Sequence, residues 1–133
     1  SVVYKRHLLL IFAHVLNIRQ IMKERFKVLF SKDADDFLES LSQKAKDKIL
    51  SNIRKAKYVL NPKLFKKLEG TDIWEFRTKY DGIQYRLLAF WDTSTNSLVV
   101  ATHGFIKKVQ KTPKQQIKRA EEIRALYFKM KRK

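Results

Sequence analysis

Residues 73–91 read IWEFRTKYDGIQYRLLAFW, and this stretch predicts a β-hairpin. Its two halves are rich in aromatic and β-branched side chains, which favour strands. Between them lies Asp81-Gly82, a pair typical of the type I′ turn, in which both central residues adopt positive φ. With a two-residue turn at this point, counting back along both strands places Arg77 opposite Arg86.

Alternation along the strands sorts the hairpin into two faces. One face carries large apolar side chains and is predicted to form the core: Trp74, Phe76, Tyr80, Tyr85, Leu87, Ala89 and Trp91. The other face is polar near the turn and apolar beyond it: Glu75, Arg77, Lys79, Gln84 and Arg86, then Leu88 and Phe90. Two arginines opposed on neighbouring strands repel each other, so this pair is destabilising unless Glu75 or a bound anion compensates its charge.

A third strand is predicted over residues 98–106, which are again rich in β-branched side chains. An even-numbered loop centred on residues 94–95 places His103 opposite Arg86, whereas an odd-numbered loop removes this alignment. In the even register one polar row crosses the three strands and continues along the third: Arg77, Arg86, His103, Phe105 and Lys107. Because neighbouring cations lower the pKa of a histidine, we expect His103 to be neutral at pH 7.

The residues before the hairpin predict one short strand and two helices. The alternation in residues 26–30 indicates the strand, and Ser31 or Asp33 can cap the helix that follows it. The apolar positions of this first helix are Ala34, Phe37, Leu38 and Leu41. Those of the second are Ala45, Ile49, Ile53, Ala56 and Leu60, before Asn61-Pro62 ends it.

A last helix is predicted after the third strand. Thr112 is its expected N-cap, with Pro113 at the first helical position and Gln115 completing a capping box. The predicted fold is therefore α+β, with a short N-terminal strand and two helices packed on one face of a twisted antiparallel sheet, plus a C-terminal helix. Residues 22–133 are expected to form this single domain.

Composition narrows the class of protein. The absence of cysteine excludes disulfide frameworks, thiol nucleophiles and the usual zinc sites, and it fits a reducing cytoplasm. Thirty Lys and Arg against 13 Asp and Glu give a net charge of +17, and residues 107–133 alone hold 11 basic and 2 acidic residues. Such an excess indicates a polyanionic partner, with nucleic acid favoured over an anionic membrane surface.

Residues 1–21 are predicted to be an extension that the chemistry does not need. Their apolar stretch, residues 8–13, is too short to span a bilayer, and no small-residue cleavage site follows it. Met22 begins a segment that reads like an ordinary protein start. We therefore place the boundary of the functional domain at residue 22.

Several motifs resemble the RelE/ParE superfamily of bacterial toxins, and the resemblance is closest to the HigB-type, phage-related branch. The resemblance covers residues 22 to about 128. The motifs that carry it are Leu68-Glu69-Gly70, Trp74-Glu75-Phe76-Arg77, Tyr85-Arg86-Leu87-Leu88, His103-Gly104-Phe105-Ile106-Lys107-Lys108 and Gln110-Lys111-Thr112-Pro113. This resemblance implies the toxin of a type II toxin–antitoxin system, a RelE-like fold and ribosome-dependent cleavage of mRNA. It also implies a cognate antitoxin, often a helix-turn-helix protein, as the partner.

The resemblance assigns Arg86 to the family's catalytic arginine, and Lys107 and Lys108 to the basic pair after the last strand. Metal-free cleavage by a 2′-hydroxyl gives a 2′,3′-cyclic phosphate and needs a base and cations at the phosphate. Arg77, Lys107 and Lys108 can share the charge with Arg86. His103 or Glu75 can act as the base, and Glu75 can alternatively hold Arg77 in place. Further RNA or ribosome contacts are predicted at five lysines: Lys79, Lys108, Lys111, Lys114 and Lys118. No metal or cofactor is expected.

Other interpretations stay open at the level of sequence. Glu75 and Arg77 can form a plain surface ion pair, and His103 can be a hydrogen-bonded strand residue without a chemical role. A ParE-like inhibitor of gyrase would share the fold and perform no nuclease chemistry. A nonenzymatic nucleic-acid or ribosome-binding module would account for the charge alone.

Overall fold

The computed structural model describes residues 5–11 and 23–132. The five strands are β1 (Lys27–Phe30), β2 (Phe65–Lys67), β3 (Trp74–Tyr80), β4 (Ile83–Asp92) and β5 (Leu98–Lys107). Three helices accompany them in the same part of the chain, α1 (Lys32–Glu39), α2 (Gln43–Tyr58) and α3 (Lys114–Lys131). The mixed α+β class predicted from the sequence is confirmed.

The strands form one sheet in the order β1-β5-β4-β3-β2. Four of them, β2 to β5, pair antiparallel, whereas the short N-terminal strand β1, for which the sequence predicted no pairing direction, joins β5 in parallel. The parallel pairing is possible because β1 and β5 are far apart in the chain and no hairpin links them. The edge strand β2 was not predicted, since its three residues are too few for a periodic signal.

The Asp81-Gly82 turn has the predicted geometry. Asp81 has φ 51° and Gly82 has φ 76°, as a type I′ turn requires. The turn sets the register of β3 against β4, in which Arg77 lies opposite Arg86 as the sequence predicts. This part of the register is confirmed because it depends only on the two residues of the turn.

The register of β4 against β5 differs from the prediction. Asp92 pairs with Leu98, which makes the connecting loop five residues long and therefore odd-numbered. A register shift between Leu88 and Ala89 displaces the rest of the pair by one more residue. As a result His103 lies opposite Leu88 and not opposite Arg86, whose partner is Phe105, so the predicted row of Arg77, Arg86 and His103 was wrong.

Two hydrophobic clusters lie on opposite faces of the sheet. Helices α1 and α2 pack on one face, as predicted, and their side chains meet the apolar face of the hairpin in one core: Ala34, Leu38, Ala45, Ile49, Ile53, Ala56, Phe76, Tyr85, Leu87 and Ala89. Helix α3 covers part of the other face, and the second cluster is Ile73, Leu88, Phe90, Val100 and Ala120. Because α3 lies there, part of the polar face of the hairpin is buried.

The helix starts follow the predicted chemistry at α1 but not at α3. Ser31 caps α1 by accepting a hydrogen bond from the Ala34 N–H at 3.2 Å. At α3 the N-cap is Pro113, which has no side-chain cap, so the predicted Thr112 cap was wrong. The Thr112 hydroxyl donates to the Glu75 carboxylate, an ionised acceptor that makes a stronger hydrogen bond than a neutral one.

The predicted N-terminal extension is described only in part. Residues 5–11 are helical, and Leu8 to Ile11 are exposed. The other residues of 1–21, together with Met22 and the boundary predicted there, lie outside the described residues. No helix among the described residues is long and apolar enough to cross a membrane.

Gly104→Ala should destabilise the fold. Gly104 lies on β5 under α1, and a Cβ at this position would stand 2.1 Å from Cδ2 of the Phe37 ring. Overpacking of this kind costs about 1–3 kcal/mol. We therefore expect the free energy of unfolding to fall by about that amount, which a lower urea midpoint at unchanged m would report. Adding Phe37→Leu to the variant should recover part of the loss, because the clash is with the ring. An unchanged midpoint in Gly104→Ala would contradict this account of the packing.

Candidate functional site

Glu75 stands between two arginines on the α3 face of the sheet. Its side chain is 3% exposed, and its Oε1 atom lies 3.2 Å from Arg86 Nε and 3.4 Å from Arg77 Nε. Its other carboxylate oxygen accepts the hydrogen bond from the Thr112 hydroxyl. Glu75 therefore balances one of the two positive charges of the opposed arginines, which is the first of the two compensations that the sequence analysis named.

Arg86 is held from several sides. Nη1 donates to the Tyr85 carbonyl oxygen at 3.0 Å, and Nη2 donates to Gln84 Oε1 at 3.2 Å. Only 4% of its side chain is exposed, and burial lowers its pKa while the Glu75 carboxylate opposes that change. With its fork occupied by protein oxygens, Arg86 positions Glu75 in this conformation and presents little of itself to a ligand.

Arg77 is the accessible member of the arginine pair. Its side chain is 31% exposed, and Nη1 makes one long hydrogen bond, 3.4 Å, to the Pro62 carbonyl oxygen. The Nε–H groups of Arg77 and Arg86 make no hydrogen bond among the described residues, so their contact with Glu75 is electrostatic. The guanidinium of Arg77 is thus charged, partly exposed and weakly engaged.

A cavity of about 420 Å³ lies beside these groups, and we call it the Glu75 cavity. The residues of its wall that matter here are Lys66, Glu75, Arg77, Lys107, Lys111 and Thr112. Lys66 was not singled out in the sequence, because it belongs to the unpredicted strand β2, and the pairing of β2 with β3 is what places it opposite Glu75. The structure therefore brings together three of the predicted catalytic residues here, Glu75, Arg77 and Lys107, and one of the predicted RNA contacts, Lys111.

Lys107 ends β5 and lies opposite Gln84. Its pKa is lowered from the usual lysine value, first by burial and then by the nearby Arg86 cation, while Glu75 acts in the opposite direction. A lowered pKa makes loss of the ammonium proton easier. Lys107 is therefore better suited to accept a proton in this cavity than an isolated surface lysine would be.

His103 lies apart from this group. It is 1% exposed, with Nε2 at 2.9 Å from Gln116 Oε1 on α3 and Nδ1 at 3.0 Å from Thr102 Oγ1. Its pKa is lowered as predicted, but the main cause is burial, and the cation Arg119 contributes less. His103 does not line the Glu75 cavity, and the interpretation as a hydrogen-bonded strand residue describes its surroundings.

The other predicted basic residues are exposed. Lys79, Lys108, Lys111, Lys114 and Lys118 all reach solvent, and Lys111 lines the Glu75 cavity. Sequence reasoning did not assign Gln84 and Thr112 to the site, and no local signal marks them, since Thr112 is 37 residues from its partner Glu75. Among the described residues, no group of three or more His, Asp or Glu side chains could hold a metal ion.

A second polar cluster lies at the end of β4, where Asp92 contacts the C-terminal part of α3. Asp92, 1% exposed, accepts hydrogen bonds from Tyr127 Oη at 2.6 Å, from Lys131 Nζ at 2.5 Å and from Ser94. Burial, and then the bond to Asp92, raise the pKa of Tyr127 to about 12. Tyr127 therefore stays protonated, and its hydrogen bond to Asp92 holds α3 against the end of β4. It does not line the Glu75 cavity.

Asp92→Asn should weaken the hydrogen bonds between Asp92 and α3, and the loss of stability should depend on pH. The hydrogen bonds from Lys131, Ser94 and Tyr127 hold the pKa of Asp92 well below its usual range. Asp92 therefore stabilises the fold above the unfolded-state pKa of about 3.9, and this contribution is lost as pH falls toward the lower folded value. We expect Asp92→Asn to lose about 2 kcal/mol at pH 7 and progressively less below pH of about 4, by urea unfolding. A difference that stays constant from pH 7 to 3 would contradict this.

Comparison with known proteins identifies the family. Residues 36–129 match the family described as phage derived protein Gp49-like (DUF891), and because this is more than half of the chain, the chain belongs to that family. The fold is similar to a chain in the crystal structure of the toxin–antitoxin complex RelBE2 from Mycobacterium tuberculosis, with a TM-score of 0.49 and 18% identity. That likeness covers 62% of this chain and 99% of the other. No curated protein matches the chain.

Proposed function

We propose that this Gp49-like protein is the toxin of a type II toxin–antitoxin system, of the HigB type, and that it is a ribosome-dependent mRNA endonuclease. The observation that carries the proposal is the Glu75 cavity, where the part-exposed Arg77 and the lowered-pKa Lys107 flank a buried carboxylate. The motif resemblance to RelE/ParE toxins and the net charge of +17 support the same proposal. An acidic antitoxin surface and the ribosome are the partners that this charge suits.

The proposed chemistry is metal-free transesterification. Lys107, in its neutral form, takes the proton of an RNA 2′-hydroxyl, and the freed oxygen attacks the adjacent phosphorus. Arg77 stabilises the charge that develops on the phosphoryl oxygens. The bond to the 5′-oxygen then breaks, that oxygen takes a proton from water, and the products are a 2′,3′-cyclic phosphate and a 5′-hydroxyl.

The other predicted catalytic residues have different roles in this proposal. Glu75 is engaged by two arginines and by Thr112, which suits it to positioning Arg77 and leaves the base role to Lys107. Arg86 positions Glu75. His103 helps to hold α3 on the sheet through its hydrogen bond to Gln116. The ribosome supplies what this small set lacks, an mRNA held in the in-line geometry for attack.

Cleavage should rise with pH through the pKa of Lys107, because the base acts in its unprotonated form. The lowered pKa of Lys107 moves this rise below the pH expected for an exposed lysine. Lys107→Arg keeps the positive charge but cannot lose its proton, so it should remove the pH-dependent rise and lower the rate about 10²-fold or more. Single-turnover rates against pH measure this, with Lys108→Arg as the exposed neighbouring control. A variant that keeps the wild-type pH profile would exclude Lys107 as the base.

Primer extension on translating ribosomes tests the function as a whole. The expected result is cuts within the ribosomal A site, with 2′,3′-cyclic phosphate and 5′-hydroxyl ends that identify attack by the 2′-oxygen. DNA damage in cells without mRNA cuts would instead support the gyrase inhibitor. Ribosome or RNA binding that weakens steeply with salt and yields no cut RNA would support the binding module.

A further inference from the structure

A second cavity adjoins the first and shares one guanidinium with it. This cavity, of about 350 Å³, lies among α2, the segment before β2, and the turn end of β3 and β4. We call it the Lys63 cavity, and the lining residues used here are Asn52, Lys63, Arg77, Lys79, Gln84 and Arg86. Arg77 lines both cavities, so a ligand group in either one meets the same cation.

The two cavities differ in charge. The lining of the Glu75 cavity includes two acids, Glu69 and Glu75, whereas no acidic residue in the described part of the chain lines the Lys63 cavity. Lys63 and Lys79 are exposed, and neither forms an ion pair with a described residue. An anion in the Lys63 cavity would therefore meet cations without competing with a carboxylate on its wall.

Neutral hydrogen-bonding groups complete the wall. Asn52 is buried on α2 and donates to Thr78 Oγ1 at 3.1 Å, which fixes its amide in place. Gln84 accepts from Arg86 through its carbonyl oxygen, which leaves its NH₂ group as a donor for a ligand. Cations together with fixed amides suit an anion attached to a polar framework, such as the sugar-phosphate chain of RNA.

We propose that the Lys63 cavity is a second phosphate subsite, which binds the phosphate next to the scissile one in single-stranded RNA. The inference rests on the proposed function for the identity of the scissile phosphate in the Glu75 cavity. Arg77 would bridge the two phosphates, since its planar guanidinium carries several donors in fixed directions. Single-stranded RNA carries one phosphate per nucleotide, so it fits two adjoining cationic cavities better than a ligand with a single charge does.

Salt-dependent binding tests this subsite without cleavage. The probe is a 2′-O-methyl RNA tetranucleotide, which has several phosphates but no 2′-hydroxyl to attack, and a nucleoside 3′-monophosphate serves as the single-phosphate probe. The variant is Lys63→Gln/Lys79→Gln, and the charge-matched control is Lys27→Gln/Lys129→Gln. Both control lysines are exposed; Lys27 pairs with Leu98, the partner of Asp92, and Lys129 lies in the last turn of α3, two residues before Lys131, which contacts Asp92. The slope of log K against log salt counts the phosphate contacts.

For the tetranucleotide, the Lys63→Gln/Lys79→Gln variant should lose about 0.7 from the slope, the value for one phosphate in a single strand, and the control should keep the wild-type slope. For the monophosphate, the Lys63→Gln/Lys79→Gln variant should lose less of the slope than it does for the tetranucleotide, because a single phosphate can still bind at Arg77 in the Glu75 cavity, and the control should match wild type. Equal losses in the two variants, or no loss in either, would overturn the subsite. If the slopes change as expected but no ribosome-bound mRNA is cut, the proposed nuclease function fails while the RNA subsite stands.

Discussion

Arg77→Ala should lower mRNA cleavage by about 10²–10³-fold, the usual effect of removing one preorganised group that stabilises transition-state charge. Arg77 is the part-exposed cation of the Glu75 cavity, and its single protein hydrogen bond is long. It is therefore the guanidinium best placed to contact a phosphate without rearrangement. Rates from single-turnover cleavage on translating ribosomes measure the effect.

The same substitution should leave the fold almost unchanged. Without Arg77, Glu75 keeps Arg86 and Thr112 as partners, and the repulsion between the opposed arginines disappears. We expect a change in unfolding free energy within about 1 kcal/mol. Arg54→Ala, an exposed arginine on α2, is the charge-matched control and should cleave as wild type does. Near-normal cleavage by Arg77→Ala would remove Arg77 from the mechanism.

Arg86→Ala is less informative by itself. Arg86 is buried with three protein partners, so its removal empties a packed volume and leaves the Tyr85 carbonyl and Gln84 without their donor. Lost cleavage in that variant would not separate chemistry from folding. The comparison with Arg77→Ala is what assigns catalysis to one arginine and positioning to the other.

The sequence predicted those parts of the site that depend on local geometry. The Asp81-Gly82 turn is two residues long and fixes its own conformation, so the opposition of Arg77 and Arg86 could be counted from it. The need for a counter-charge, from Glu75 or from a bound anion, followed from that opposition. Both steps use only neighbouring residues and the alternation of strands.

The rest of the site depends on contacts that no local pattern encodes. The position of His103 required the parity of a five-residue loop and a register shift, and either one alone changes the alignment. Lys66 joined the site through a three-residue edge strand, and Thr112 through a hydrogen bond across 37 residues. The burial of Glu75 and Arg86 follows from the packing of α3 on the face that the hairpin pattern had left polar.

Glu75→Gln should be the most destabilising of the conservative substitutions in the site. It keeps the shape of the side chain but removes the negative charge that faces both Arg77 and Arg86. Removing one partner of a buried ion pair costs about 3–5 kcal/mol, because the remaining charge stays buried without compensation. Urea unfolding at neutral pH measures the loss, and Glu69→Gln, an exposed acid of the same cavity, should change stability by less than about 1 kcal/mol.

Two further measurements separate lost charge from lost packing in Glu75→Gln. Adding Arg77→Gln should return part of the stability, since it removes one of the two uncompensated cations, and the double variant should then be more stable than the sum of the single effects predicts. Added sulfate should stabilise Glu75→Gln more than wild type, because an anion in the cavity can replace the missing carboxylate. If the two effects are additive and sulfate stabilises both proteins equally, Glu75 does not hold the arginine pair by charge, and the basis for treating Arg77 as a preorganised phosphate ligand is lost with it.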